Sequence, residues 1–302
     1  MNDKTSLRYL FRSLLFVPGH NEKLIKKAIT TDADVLILDL EDSVQPSDLK
    51  QNARDLILNM FNDNLFKGKI VFIRVNDRES GHLLKDIHQL SVAGVRGFMY
   101  PKAKCSQDIY FIDKLLETIE HEKGIRVGTF KLIPLIETTS SVLQSDSICK
   151  ASDRIEAIAF GSEDFITDLQ SSIDTDLTNL QVPRAIISMA ARANNIIPID
   201  TVHIDVHNLE DLEIQINISK KYGFDGMLVL HPKEIPFVHK HYTPSEEEYL
   251  NAKELLKMNE QAKKEGRGVA VINGKFIGPP FVLKSKKIIE KYEFLISKGK
   301  IL

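Results

Sequence analysis

Cysteine is scarce: Cys105 and Cys149 are the only two in 302 residues. Their spacing fits no metal-ligand pattern, which argues against a disulfide framework or a zinc cage and suits a reducing cytoplasm. No run of about 18 apolar residues occurs, so the sequence offers no candidate transmembrane helix. The stretch Met1-Asn2-Asp3-Lys4-Thr5 has no signal-peptide core. A dominant charge is missing too: 40 Lys and Arg stand against 42 Asp and Glu, a formal net of -2. That balance gives no reason to expect a nucleic acid or a membrane as partner. Phosphate cradles of the P-loop type, solenoid repeats and low-complexity segments are absent as well. The remainder, 43% hydrophobic and 27% charged, is ordinary for a globular chain and is enough for one large α/β domain or two smaller ones.

Short apolar runs alternate with helical stripes along the chain. The runs fall at 14–17, 35–42, 70–76, 97–102, 131–137, 155–161, 196–200 and 226–232. Between them, Asn21 is placed to cap a helix carrying Leu24, Ile25, Ala28 and Ile29. Pro46-Ser47 opens another with Leu49, Ala53, Leu56, Ile57 and Met60 on one stripe, and Ser106 caps a third. Helices are also predicted over 139–150, over about 183–195, and from Asn208 to Gly223. Eight such alternations predict a parallel sheet closed into a TIM (β/α)8 barrel. An open doubly wound sheet is the competing architecture, but no Gly-x-Gly-x-x-Gly turn follows the first run. The barrel is assigned to 1–242. Residues 243–302 read as a C-terminal helical and hairpin extension: a capping box at Ser245-Glu246-Glu247-Glu248, a charged helix to Gly266, a hairpin around Asn273-Gly274, and a helix near 284–297. Sixty residues are too few for an independent core, so this extension is expected to pack on its own barrel or on a neighbouring subunit.

Three of the apolar runs end in carboxylates: Asp39-Leu40-Glu41-Asp42, Glu137, and Glu163-Asp164. In a parallel barrel the strand C-termini share one face, so these acids meet in space. Glu137 and Asp164 close runs five and six, which are neighbours in a barrel, and two such carboxylates suit a hard divalent cation. Strand-end acids also cap helices, although Thr138, Thr139 and Ser140 already offer caps beside Glu137. Glu41 and Asp42 read either as an outer shell acting through metal-bound water or as caps. Arg74 ends an apolar run and should project into the mouth, gripping a carboxylate or enolate oxygen, pairing with the same acids, or both. Lys102 is similarly placed but follows a Pro turn, and reads equally as a loop lysine or a phosphate contact. Of the histidines, His20 and His231 sit nearest the expected mouth, and no Ser-His-Asp set emerges from spacing.

These residues form a familiar series. Arg12-Ser13-Leu14-Leu15-Phe16-Val17-Pro18-Gly19, Leu38-Asp39-Leu40-Glu41-Asp42, Arg74-Val75-Asn76, Pro101-Lys102, Leu135-Ile136-Glu137-Thr138, Phe160-Gly161-Ser162-Glu163-Asp164, Ile199-Asp200 and Leu230-His231-Pro232-Lys233 stand in that order. Together they resemble the citrate lyase β-subunit family, part of the aldolase/citrate lyase group, over about 12–290. The resemblance implies a TIM barrel, a magnesium ion held by Glu137 and Asp164, and substrate contact through Arg74 and Glu137. It also implies an acyl-CoA or acyl-carrier thioester as substrate and assembly as a homotrimer or hexamer. The implied reaction cleaves a citryl-, citramalyl- or malyl-type thioester to an acetyl thioester or related acyl-CoA and a keto acid.

One departure stands out. Where the family tail reads Asn-Gly-Lys-Met-Ile-Asp, this chain has Asn273-Gly274-Lys275-Phe276-Ile277-Gly278. An acid that assists chemistry in some relatives is replaced by Gly278. Two competing functions remain: an aldolase on free 2-keto acids, which would share the barrel and metal site, and a non-catalytic acyl-CoA-binding relative, which Gly278 alone supports.

Overall fold

The structure of the protein, a computed structural model, describes residues 8–172, 178–265, 270–272 and 275–301. Eight parallel strands close in sequence order: β1 (Ser13–Pro18), β2 (Val35–Asp39), β3 (Ile70–Arg74), β4 (Gly97–Tyr100), β5 (Lys131–Ile136), β6 (Ala157–Phe160), β7 (Ile197–Asp200) and β8 (Gly226–Val229). The predicted barrel is therefore present, and the open sheet is excluded by the β1–β8 pairing. The intervening helices are α1 (Glu22–Ile29), α2 (Leu49–Asn62), α3 (Leu83–Leu90), α4 (Ser106–Glu122), α5 (Thr139–Leu143), α6 (Ser145–Cys149), α7 (Ser162–Asp168), α8 (Gln181–Ala193) and α9 (Leu209–Tyr222). After β8 come α10 (Ile235–Tyr242), α11 (Glu246–Lys264), β9 (Ala270–Ile272), β10 (Lys275–Ile277) and α12 (Pro279–Ser297).

The chain divides into two compact units. One is Leu10–His239; the other is Lys240–Leu302 with the N-terminal stretch up to Tyr9. In the second unit α11 and α12 pair, with Tyr249 stacked on Tyr292 at 4.4 Å between ring centres. β9 and β10 form an antiparallel ribbon, and the predicted turn residues Asn273-Gly274 lie outside the described residues.

Alternation along the strands sends Leu14, Val35, Ile37, Phe72, Ile133, Leu135, Ala157, Ala159, Ile197, Ile199 and Leu228 into one apolar core inside the barrel. Burying each Leu or Ile side chain there contributes about 1.5–3 kcal/mol. Below the first strands, Arg12 and Asp34 pair in full burial, with Nε to Oδ2 at 2.7 Å and Nη2 to Oδ1 at 2.8 Å. Truncating one partner leaves the other charge buried without this two-bond ion pair. Asp34→Ala is therefore expected to cost about 3–5 kcal/mol in urea unfolding.

Four helix boundaries differ from the sequence expectation. Cys105, not Ser106, is the cap of α4, because Asp108 reaches back to the Cys105 amide at 3.2 Å. The predicted helix 139–150 is two short helices meeting at Gln144. Hydroxyls there bond back to the chain, with Ser145 Oγ donating to the Ser141 carbonyl at 3.0 Å. The helix after Pro46-Ser47 begins only at Leu49. The last helix begins at Pro279, where proline's missing N–H and fixed φ suit a first turn.

Candidate functional site

The inward rows of the strands continue upward into polar residues. Asp39 stands two residues beyond Ile37, Arg74 two beyond Phe72, Glu137 two beyond Leu135, and Gly161 two beyond Ala159. All four line one cavity of about 490 Å³ at the C-terminal end of the barrel, together with Asp42, Glu163 and Asp164.

The β2–β3 register sets Asp39 directly opposite Arg74. Arg74 donates to both carboxylate oxygens, Nε to Oδ1 at 2.7 Å and Nη2 to Oδ2 at 2.6 Å. Its Nη1 lies 3.1 Å from Glu41 and 3.2 Å from Asp42. The Phe16 ring covers the guanidinium at 4.8 Å. Burial pushes the Asp39 carboxyl up, but the Arg74 charge and hydrogen bonds, with those from the Ser43 and Glu41 amides, outweigh it and hold it below the usual range. Burial also opposes the Arg74 charge, and the three acids overcome it, so the group stays charged.

Glu41 is buried between two cations, with Arg74 on Oε2 and Lys102 Nζ 3.0 Å from Oε1. Both contacts lie at ion-pair distance but off the direction of a hydrogen bond. Burial, assisted by Asp42, pushes this carboxyl up to about 7 against the pull of Arg74 and Lys102. A raised carboxyl favours the folded state below its unfolded value near 4.5 and loses that contribution as pH rises through about 7. Over that window, Glu41→Gln is expected to gain about 3 kcal/mol on the wild type, read by urea unfolding at pH 5 and pH 8.

Glu137 follows the last residue of β5 and is 2% exposed. Its Oε1 accepts the Lys102 amide at 2.5 Å. Lys102 adopts φ +52°, a left-handed conformation uncommon for a side-chain-bearing residue, and this strain turns its N–H onto the carboxylate. Burial first, then the charges of Glu41 and Asp164, raise the Glu137 carboxyl well above the ordinary range. Asp164 does not end strand six as expected. It lies in the first turn of α7, three residues past the cap Gly161, and its exposed carboxylate faces the same cavity.

Two carboxylates set this way suit a hard cation that completes its shell with water and ligand oxygens. Among the described residues no three His, Cys, Asp or Glu side chains form an all-protein cage. Gly161 makes the approach possible, since a Cβ there would lie 2.8 Å from both Cβ and Oε2 of Glu137. Gly161→Ala is therefore expected to displace Glu137 and lower turnover about 100-fold in a folded protein, checked by steady-state kinetics beside circular dichroism.

Sequence reasoning had not singled out Asp39 as the clamp on Arg74, nor the support beneath Glu41. Lys50, on α2, is buried and donates hydrogen bonds to the carbonyls of Leu40 at 2.9 Å and Glu41 at 3.0 Å, and to Asn76 Oδ1. Asn76 donates to Asp86, which also holds Arg54 at 2.6 Å. This chain of bonds fixes the turn bearing Glu41 and the residues just past Arg74. Lys102 is drawn to Glu41 and Glu137, while His20 and His231 do not line the cavity.

Comparison with known proteins agrees with the layout. The chain is 31% identical over 282 residues to the citrate lyase subunit beta of Haemophilus influenzae, covering 93% of this chain and 97% of that one. It is 28% identical over 304 residues to the L-malyl-CoA/beta-methylmalyl-CoA lyase of Rhodobacter capsulatus, covering 94% and 95%. Among solved structures, CitE from Mycobacterium tuberculosis in complex with magnesium, acetoacetate and coenzyme A superposes with a TM-score of 0.77 at 25% identity, covering 95% and 99%. Residues 12–232 match the HpcH/HpaI aldolase/citrate lyase family. The chain belongs to the HpcH/HpaI aldolase/citrate lyase family.

Proposed function

We propose that this chain is a magnesium-dependent carbon–carbon lyase acting on a 3-hydroxy acyl thioester of the citryl-, citramalyl- or malyl-CoA type. The observation that carries the reading is the buried Glu137 carboxylate beside Asp164 and Arg74 in one barrel-mouth cavity. Glu137 and Asp164 would hold the magnesium ion, with Glu41 and Asp42 in the outer shell. Bound there, the ion acts as a Lewis acid toward the hydroxyl that becomes the keto oxygen.

The remaining work falls to the chain. The hydroxyl gives up its proton to a base as it becomes the keto oxygen, the bond between its carbon and the thioester α-carbon breaks, and that electron pair passes to the α-carbon as an enolate. Protonation of that carbon gives the acetyl thioester, and the other fragment leaves as a keto acid. Arg74, already oriented by Asp39, takes the substrate carboxylate or the enolate oxygen as charge develops. Glu137 contacts the same end of the substrate. In this reading residues 1–242 are the catalytic barrel, 243–302 are a C-terminal extension outside it, and the protein works in the cytoplasm as a homotrimer or hexamer. Among the described residues no helix is long and apolar enough to cross a membrane.

A panel of malyl-, citramalyl- and citryl-CoA, run beside the corresponding free acids, tests the assignment. Keto acid released from a thioester alone supports the lyase. Cleavage of a 4-hydroxy-2-keto acid that carries no thioester would mark an aldolase on free 2-keto acids instead. Gly278 favours one further reading, a non-catalytic acyl-CoA binder. Among the described residues a Cβ at Gly278 would meet only Pro280 Cδ, at 3.7 Å, and its backbone suits any residue. Gly278→Asp meets no clash among the described residues, and activity gained by an otherwise silent protein would support the non-catalytic reading.

A further inference from the structure

We propose that Thr201 is a positioning residue for Asp164: its hydroxyl, supplied from just past β7, caps α7 in place of a side chain that Gly161 cannot carry. The inference rests on the reading of Asp164 as a cation ligand and adds what holds that carboxylate in place.

The need for a borrowed cap follows from Gly161. It is the cap residue of α7 and has extended backbone, where a serine, threonine, asparagine or aspartate would take a first-turn amide. A Cβ there would lie 2.8 Å from Cβ and Oε2 of Glu137, so any such side chain displaces Glu137. The position can serve Glu137 or cap the helix, not both.

Thr201 meets the need from the neighbouring strand. β6 and β7 pair with Ala159 opposite Ile199, which brings the chain just past β7 beside the start of α7. Thr201 Oγ1 accepts the Ser162 amide at 3.2 Å. It also lies 2.6 Å from Ser162 Oγ, in a hydrogen bond that either hydroxyl can donate. Both residues are buried. Ser162 opens α7, and Asp164 leaves the same turn two residues later.

Thr201 is itself held. Its amide donates to Asp200 Oδ1 at 2.9 Å. Asp200 pairs with Arg184 of α8, whose Nε lies 3.2 and 3.0 Å from the two carboxylate oxygens. Arg184 Nη1 finds no partner among the described residues, and a buried ion pair with a donor left over adds little net stability. What the pair does supply is a fixed course for the backbone at Thr201, and through its hydroxyl for the first turn of α7.

The test is calorimetric titration of magnesium into the full chain carrying Thr201→Val or Thr201→Ala, with Thr201→Ser as the conservative variant. Metal-free melts and keto acid release from the thioesters are measured beside it. Loss of the hydroxyl is expected to weaken magnesium binding at least about 10-fold, and Thr201→Ser to hold it within about 2-fold of the wild type. A cap with a structural role alone would lower the metal-free midpoint and leave the magnesium affinity of the folded protein unchanged. That result overturns the inference while the lyase reading stands, and so does equal weakening by Thr201→Ser, which retains the hydroxyl. Weakened binding in variants of a protein that cleaves no thioester keeps the inference and removes the lyase reading. A wild type that binds no magnesium overturns both.

Discussion

Glu137→Gln is expected to abolish thioester cleavage, lowering kcat/KM by at least about 1000-fold, while the thermal midpoint holds or rises. The substitution keeps the shape of the side chain and an oxygen for the Lys102 amide, and removes only the charge. That charge is costly to the folded protein, since burial, Glu41 and Asp164 all raise the Glu137 carboxyl. Activity and stability should therefore move in opposite directions. Magnesium should also lose its stabilising effect on the variant, because a ligand raises the midpoint only in proportion to its binding of the folded state. Kinetics and calorimetric melts with and without magnesium check all three. A variant that keeps full activity would remove Glu137 from the site.

Arg74→Lys is expected to lower kcat/KM by about 100- to 1000-fold. Lysine keeps the charge and loses the fork that meets both oxygens of Asp39 while presenting a further edge to the cavity. If Arg74 acts on developing charge, kcat and kcat/KM fall together; if it only anchors the ground state, KM rises and kcat is spared. Steady-state kinetics separates these outcomes. Asp39→Asn should show a weaker form of the same split, since Asp39 acts on the reaction only by holding Arg74.

The barrel was legible because eight apolar runs alternate with amphipathic stripes, and each run has a strand's length. The inward rows were legible in the same way: an acid two residues beyond Ile37 or Leu135 must face the mouth. What the inward row does not give is the partner of Asp39: that is Arg74, set opposite it by the β2–β3 register. Lys50 was out of reach. A lysine on an amphipathic helix reads as solvated, and only the folded turn at Leu40 and Glu41 gives it carbonyls to bond. The position of Asp164 was misplaced by one element, because Gly161-Ser162 reads as a strand end when it is the start of α7. Lys102 shows the same limit, since its left-handed backbone answers to the carboxylate of Glu137, 35 positions away.

The central claim is that a cation held by Glu137 and Asp164 supports cleavage of a carbon–carbon bond in an acyl thioester. The most direct measurement is keto acid release from malyl-, citramalyl- and citryl-CoA by the purified protein, first with magnesium, then in excess chelator, then with magnesium restored. Release that stops in chelator and returns with the metal is the expected result. Undiminished release in chelator, or none from any thioester with magnesium present, would contradict it.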